Sequence, residues 1–171
     1  WLLGRYAFGA SHYAYNSVNA FNLWTIFGSF WMPDTARQAG LGWAFALAAT
    51  ALAVWRYLQA RTTVVFLQCC ALTLLAFFLL TTRMHERYVF DAVLFLIACI
   101  AIDRRYLWAA IFFSCTLTAN LAYSLEYLQV MDRHLPLNSR DLWGPIDRAI
   151  SLLNVLAFFW LGHALMESER D

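Results

Sequence analysis

The stretch TVVFLQCCALTLLAFFLL, from Thr63 to Leu80, contains no charged side chain. A transmembrane helix needs about 20 predominantly apolar residues, within a range of about 17 to 25, so this stretch is long enough to cross a membrane. The whole chain has the same character, because 62% of its 171 residues are hydrophobic and only 13% are charged. We therefore expect an integral membrane protein.

Similar apolar runs, separated by charged breaks, predict an all-α polytopic fold of about five transmembrane helices. The predicted spans form one bundle over residues 39–171 and cover 39–58, 63–80, 88–102, 106–125 and 149–166. Loops at 81–87 and 126–148 connect them on one side of the membrane. The first 38 residues are rich in aromatic side chains and asparagine but contain no clean apolar run of that length. They predict an interfacial or re-entrant helical segment on the same side as those loops.

The arginines predict the orientation. All twelve basic residues are arginine, and the short loops near 56–61 and 103–105 are dense in them. Such loops usually face the cytoplasm, which places the 81–87 loop on the outer side. The absence of lysine suggests a bacterial source, so we expect the bacterial cytoplasmic membrane.

Charge and cysteine usage exclude several classes of function. A net charge of +1 provides no basic field to attract nucleic acid, so we expect no nucleic-acid partner. The four cysteines lie in apolar runs without the C-x-x-C spacing of a metal or redox site, which argues against a disulfide framework. No histidine pair at i and i+4 supports a metal site.

One charged cluster interrupts the apolar pattern, in LLTTRMHERYVFD at 79–91. If the third helix begins near Arg83, then Arg83, Arg87 and Asp91 recur every four residues and share a face. The positive end of the helix dipole favours an anion there, and an arginine fork matches phosphate oxygens. The charges could equally pair with one another at a helix end, and the residues alone leave both interpretations open.

The sequences MHERY at 84–88 and SVNAFNLW at 17–24 together resemble the later half of bacterial membrane mannosyltransferases. These enzymes belong to the GT-C superfamily of polytopic glycosyltransferases and are related to enzymes of GPI-anchor assembly. The resemblance covers about 16–102 by motif and the remainder by hydropathy. It implies transfer of a hexose, plausibly mannose, from a polyprenyl-phosphate carrier to an outer-side acceptor. Membrane lipids and a lipid-linked sugar are then the expected partners, and a need for a divalent metal is left open.

The resemblance also implies roles for particular residues. Arg87, with Arg83, would hold the leaving phosphate, His85 would donate a hydrogen bond to it, and Glu86 would orient one of them. The implied lipid-phosphate site consists of five residues: Arg83, His85, Glu86, Arg87 and Tyr88.

The implied cavity lining consists of Asn19, Asn22 and Trp24, the two amides binding sugar or head group. An alternative for these three is an interfacial helix that is capped by asparagine and anchored by tryptophan. Asn120 and Asn154, within the fourth and fifth predicted spans, are expected to bond neighbouring helices.

The family's catalytic aspartate should lie in a first outer loop, upstream of Trp1. Asp34 and Asp91 do not occupy the matching place, so the catalytic residue is unknown. We therefore expect this chain to be the later part of a longer protein. The alternative function is a non-catalytic membrane subunit that packs against membrane-protein partners in a larger complex.

Overall fold

The computed structural model describes residues 14–28, 30–101, 103–132 and 142–167. Within these ranges the protein is all-α, with isolated β-bridges in place of strands. A 3₁₀ turn at Glu86–Val89 leads directly into the fourth helix. The α-helices are α1 (Leu23–Phe27), α2 (Ala36–Ala60), α3 (Thr63–Leu80), α4 (Phe90–Ile100), α5 (Arg105–Asp132) and α6 (Pro145–Glu167).

The predicted polytopic membrane fold is confirmed. Among the described residues, α2, α3, α5 and α6 are long and apolar enough to cross a membrane. The predicted third span, 88–102, corresponds to α4, which has only 11 residues. A helix of this length extends about 16 Å, whereas the hydrocarbon core of a bilayer is about 30 Å thick. The turn after α4 sets this length. There Asp103 accepts hydrogen bonds from the backbone N–H and Nε of Arg105, at 2.9 and 2.8 Å, where α5 begins.

The last two helices are longer than the apolar pattern predicts. Helix α5 continues past Glu126, whose exposed carboxylate accepts a hydrogen bond from Nε1 of Trp143 at 2.8 Å. Helix α6 begins at Pro145. Proline is tolerated at the first helical position because it lacks a backbone N–H, and an N–H there would have no partner within the helix. The predicted loop at 126–148 is correspondingly shorter.

Helix α3 lies at the centre of the bundle. Of its candidate span 56% is buried, compared with 22% for that of α2. Helices α2 and α3 approach closely at Gly42, where an added Cβ would lie 2.7 Å from the carbonyl oxygen of Leu80. At the opposite end of α2, the buried Arg56 donates from Nε to the carbonyl of Leu165 at 3.2 Å. Arg56 is therefore part of the bundle rather than of a connecting loop.

Of the segment before α2, the structure describes residues 14–28 and 30–35. Most of residues 16–25 are buried against the bundle, as a re-entrant segment would be, and within these described residues only α1 is helical. Its two arms instead pair through their backbones, with Asn16 N–H donating to Met32 O at 2.8 Å and Asp34 N–H to Ala14 O at 3.0 Å. Phe21 and Phe30 are fully buried against Tyr123 of α5. Non-helical backbone at membrane depth requires such burial.

Candidate functional site

The two motifs that carry the family resemblance lie side by side. The N–H of Val18 donates to the carbonyl of Met84 at 2.9 Å. Val18 and Asn19 also form isolated bridges with His85. The SVNAFNLW segment (17–24) therefore contacts the turn at 85–88, which we call the HERY turn.

Asn22 and Trp24 connect this segment to the end of α3. The Asn22 Oδ1 accepts from the N–H groups of Trp24 and Thr25, so it caps α1. Its Nδ2 donates to the carbonyl of Thr81 at 3.3 Å, and the Trp24 indole donates to that of Leu80 at 2.8 Å. Both side chains thus bind carbonyls that α3 leaves unpaired at its C-terminus. Asn22 therefore caps α1 and Trp24 ties it to α3, while an interfacial position for this helix and a cavity-lining role both stay predictions.

Two asparagines from the long helices hold the backbone of the SVNAFNLW segment. The Asn120 amide accepts from Phe21 N–H at 3.0 Å and donates to the carbonyl of Asn19. The Asn154 amide donates to the carbonyl of Phe21 at 2.9 Å. We expected these amides to bond neighbouring helices, but they bond non-helical backbone instead. The only signal in the sequence was an isolated amide in each apolar run.

Arg83 forms a bidentate ion pair with Asp34, which sequence reasoning had not connected to it. Its Nε lies 2.8 Å from Asp34 Oδ2 and its Nη2 3.1 Å from Oδ1. The Thr82 hydroxyl donates to the same carboxylate at 2.9 Å. The Asp34 side chain is only 2% exposed, so this pair ties the start of α2 to the loop before the HERY turn. The hydrogen bonds from Arg83 to Asp34 raise the pKa of the guanidinium.

The predicted helical face of Arg83, Arg87 and Asp91 is wrong in one respect. Helical structure begins only at Glu86, and Arg83 lies outside it with a left-handed φ of 65°. Arg83 therefore points toward Asp34 instead of continuing the face of Arg87. A contact between Arg83 and a phosphate stays a prediction.

The HERY turn itself presents one cationic group to the surroundings. The Arg87 side chain is 64% exposed, and its Nη1 lies 3.9 Å from Glu86 Oε1. Its guanidinium lies 5.6 Å from the centre of the Tyr88 ring, within cation–π distance. The Tyr88 ring also meets that of His85 edge to face, at 5.5 Å. These four residues of the predicted phosphate site therefore lie together, with the arginine fork outermost.

Backbone strain concentrates around the contact between the two motifs. Asn19, Trp31 and Arg83 have φ values of 61°, 58° and 65°, in the left-handed region. Side chains other than glycine rarely adopt this region, and such strain often accompanies functional sites. The Trp31 indole donates to Asn19 Oδ1 at 2.8 Å, which links two of the three residues. The strain supports a functional role for this region.

Comparison with family models, curated proteins and solved structures gave no match to this chain. In the part of the chain that the structure describes, no group of three or more His, Cys, Asp or Glu residues could hold a metal ion. An anion at this site would instead bind to the guanidinium of Arg87, the imidazole of His85 and the N–H groups at the start of the helix.

Burial and the nearby charge of Arg87 lower the pKa of His85 below its ordinary value of 6.5, while Glu86 partly opposes them. The imidazole is therefore neutral at pH 7, with one N–H to donate. Because folding favours the neutral form, the contribution of His85 to stability is complete above pH 6.5. It declines as the pH falls from 6.5 through the folded-state pKa.

Variants of the neighbouring charges should move this titration in opposite directions. We expect Arg87→Ala to raise the pKa of His85 by removing a like charge, and Glu86→Gln to lower it further. Histidine ring resonances followed by NMR against pH would measure both shifts. Equal pKa values in the two variants would contradict the electrostatic account.

Proposed function

We propose that this chain is part of an integral-membrane glycosyltransferase that moves a hexose, plausibly mannose, from polyprenyl phosphate to an acceptor. The observation that carries the proposal is the exposed Arg87 fork, held beside the SVNAFNLW segment at one end of a membrane bundle. A phosphate head group at a membrane surface suits a cationic fork of this kind. We place the protein in a bacterial cytoplasmic membrane, with the HERY turn outside.

The proposed chemistry is displacement at the sugar. An acceptor hydroxyl attacks the anomeric carbon from the side opposite the phosphate, which inverts the configuration. The bond from that carbon to the phosphate oxygen breaks, and the oxygen leaves with the electron pair. Arg87 stabilises the charge that develops there, and neutral His85 adds a hydrogen bond. Glu86, 3.9 Å from Arg87, orients the fork. The proton of the acceptor hydroxyl passes to a carboxylate, the catalytic aspartate that the family resemblance implies.

A non-catalytic subunit is the alternative function. Helix α2 supports it, because only 22% of its candidate span is buried and large apolar side chains cover its exposed surface. A partner helix could bind along this surface. The two functions differ at the HERY turn, since only the transferase requires the turn to bind a phosphate-bearing lipid.

Removal of the Arg87 fork tests the proposal directly. We expect Arg87→Ala to weaken binding of a long-chain polyprenyl phosphate by about tenfold to a hundredfold, the range for hydrogen bonds to charged groups. Arg87→Lys should fall between it and the wild type, because the charge remains and the fork is lost. Native mass spectrometry of the purified protein in nanodiscs would measure binding.

The matched control is Arg104→Ala, which removes an exposed arginine at the end of the bundle opposite the HERY turn. It should leave binding unchanged. Equal affinities for the wild type and Arg87→Ala would overturn the phosphate site and favour the non-catalytic subunit.

A further inference from the structure

An apolar groove runs between α5 and α6 on the lipid-facing surface of the bundle. Its volume is about 390 Å³, within the range of about 300 to 1,000 Å³ typical of ligand sites. Because α5 and α6 are both candidate membrane spans, the groove opens toward the bilayer. The side chains that shape it come equally from the two helices: Trp108, Ala109 and Phe112 of α5, and Leu153, Ala157 and Trp160 of α6.

The groove lies near one surface of the membrane, at the end of the bundle opposite the HERY turn. Between Arg105 and Glu126, helix α5 contains no charged residue. The rise from Arg105 to Glu126 is about 32 Å, close to the hydrocarbon thickness of about 30 Å. Arg105 therefore lies level with the lipid head groups. Trp108, three residues further along α5, lies about 4 to 5 Å deeper.

Two tryptophans flank the groove. The Trp108 side chain is 70% exposed and that of Trp160 is 48% exposed. Indole rings are favoured near membrane surfaces, because the ring lies in the hydrocarbon and its N–H can reach polar groups. An acyl chain in the groove would pack between these two rings, and the polar part of the same lipid would lie above Trp108.

An ion pair lies directly above the groove at the start of α5. Asp103 Oδ2 is 2.8 Å from Arg105 Nε, and Asp103 Oδ1 accepts from the backbone N–H of Arg105 at 2.9 Å. Arg105 precedes Trp108 by three residues and Ala109 by four, so these three residues share one face of the helix. The Arg105 and Asp103 side chains are 48% and 21% exposed. Both groups therefore remain open to a second charged partner.

This pair suits a head group that carries both charges. A phosphate at Arg105 gains charge-assisted hydrogen bonds, but the Asp103 carboxylate beside it repels a head group that is only anionic. An ethanolamine phosphate places its phosphate against the guanidinium and its ammonium N–H groups against the carboxylate. Choline carries the same charges, but its methyl groups replace the N–H donors. The glycerol of phosphatidylglycerol provides no cation.

We propose that the groove binds a phosphatidylethanolamine molecule from the leaflet opposite the HERY turn. Its phosphate lies at Arg105, its ammonium at Asp103, and one acyl chain between Trp108 and Trp160. The bound lipid bridges α5 and α6, so it stabilises the folded bundle. This site is separate from the phosphate site at Arg87 and does not depend on the proposed function.

A competition among three phospholipids tests the proposal. The purified protein in detergent is mixed with equal amounts of phosphatidylethanolamine, phosphatidylcholine and phosphatidylglycerol that have the same acyl chains. Native mass spectrometry then measures which lipid the protein retains. We expect the ethanolamine lipid to be preferred over each of the others by about three- to tenfold, the range for a partly exposed ion pair.

Two variants should affect this competition differently. Asp103→Asn should remove the preference for ethanolamine over choline, because the amide can still cap α5 but no longer attracts an ammonium. Arg105→Ala should weaken binding of both lipids, since both carry the phosphate, and should keep their order. The matched control is Arg61→Ala, which removes an exposed arginine at the same end of the bundle. It should change neither result.

Filling the groove provides a test that does not alter the ion pair. We expect Ala157→Trp to lower retention of phosphatidylethanolamine by about three- to tenfold, because the indole takes the space of the acyl chain. Thr118→Trp, in a shallow depression elsewhere on α5, should retain the lipid as the wild type does. This comparison decides the proposal even if Asp103→Asn folds poorly.

Several results would overturn the proposal. Equal retention of the ethanolamine and choline lipids by the wild type would do so, as would a preference that survives in Asp103→Asn. Stronger retention of phosphatidylglycerol would mean that the net charge of Arg104 and Arg105 governs the site instead. If Arg61→Ala weakens binding as much as Arg105→Ala, no particular arginine holds the phosphate. Unchanged retention in Ala157→Trp would exclude the groove.

Discussion

Asn120→Leu should lower the free energy of unfolding by about 2 to 6 kcal/mol, the largest effect that we expect from a single substitution. The change leaves two buried backbone groups without their partner, the N–H of Phe21 and the carbonyl of Asn19. Each buried group left unsatisfied costs about 1 to 3 kcal/mol. Water cannot compensate at this depth, since Asn120 is 2% exposed and lies within a candidate membrane span. Denaturant unfolding of the purified protein in detergent would measure the loss.

Two further variants calibrate this effect. Asn154→Leu removes one hydrogen bond to the segment, at Phe21 O, so we expect about half the loss. Thr118→Leu makes a similar change on the exposed face of α5 and should be close to neutral. The ordering Asn120, Asn154, Thr118 follows the number of backbone groups that each change leaves unpaired. If Asn120→Leu costs no more than Thr118→Leu, these amides do not hold the segment.

The apolar pattern predicted the membrane helices well where charge marks both ends of a run. The structure has α3 at Thr63–Leu80, the predicted bounds, because an uncharged run between polar breaks has one stable arrangement in a bilayer. The predicted bounds were less accurate at the end of α5, which continues past Glu126, and at the start of α6, which begins at Pro145. A proline is acceptable at a helix start, and a carboxylate is acceptable where a helix extends past the hydrocarbon, so neither residue ends its helix.

The contacts that assemble the candidate site could not be read from periodicity. Arg83 pairs with Asp34, 49 residues away, and Asn120 binds a backbone N–H 99 residues away. The prediction that Arg83 shares a helical face with Arg87 was wrong for the same reason. Arg83 pairs with the distant carboxylate of Asp34, and this contact outweighs the local spacing of the charges. The contact between the MHERY and SVNAFNLW sequences joins residues more than 60 positions apart, so no periodicity in either sequence predicts it.

The Asp34–Arg83 pair should show unequal costs when its two members are removed. Arg83→Met leaves a carboxylate that is 2% exposed with the Thr82 hydroxyl as its remaining hydrogen-bond donor among those described above. An uncompensated buried charge costs about 3 to 5 kcal/mol, and the 34% exposure of Arg83 places this case near the lower end. Asp34→Asn should cost only about 1 to 2 kcal/mol, because the amide oxygen still accepts and the guanidinium can turn toward water.

The double variant decides between this account and a simple loss of packing. With neither charge present, Asp34→Asn combined with Arg83→Met should be more stable than Arg83→Met alone, since no unpaired carboxylate remains. Unfolding of the four proteins in one detergent completes the thermodynamic cycle. If the two losses merely add, the pair contributes no electrostatic coupling. Arg83 would then act through its packing, and the loop before the HERY turn would depend on the other contacts described above.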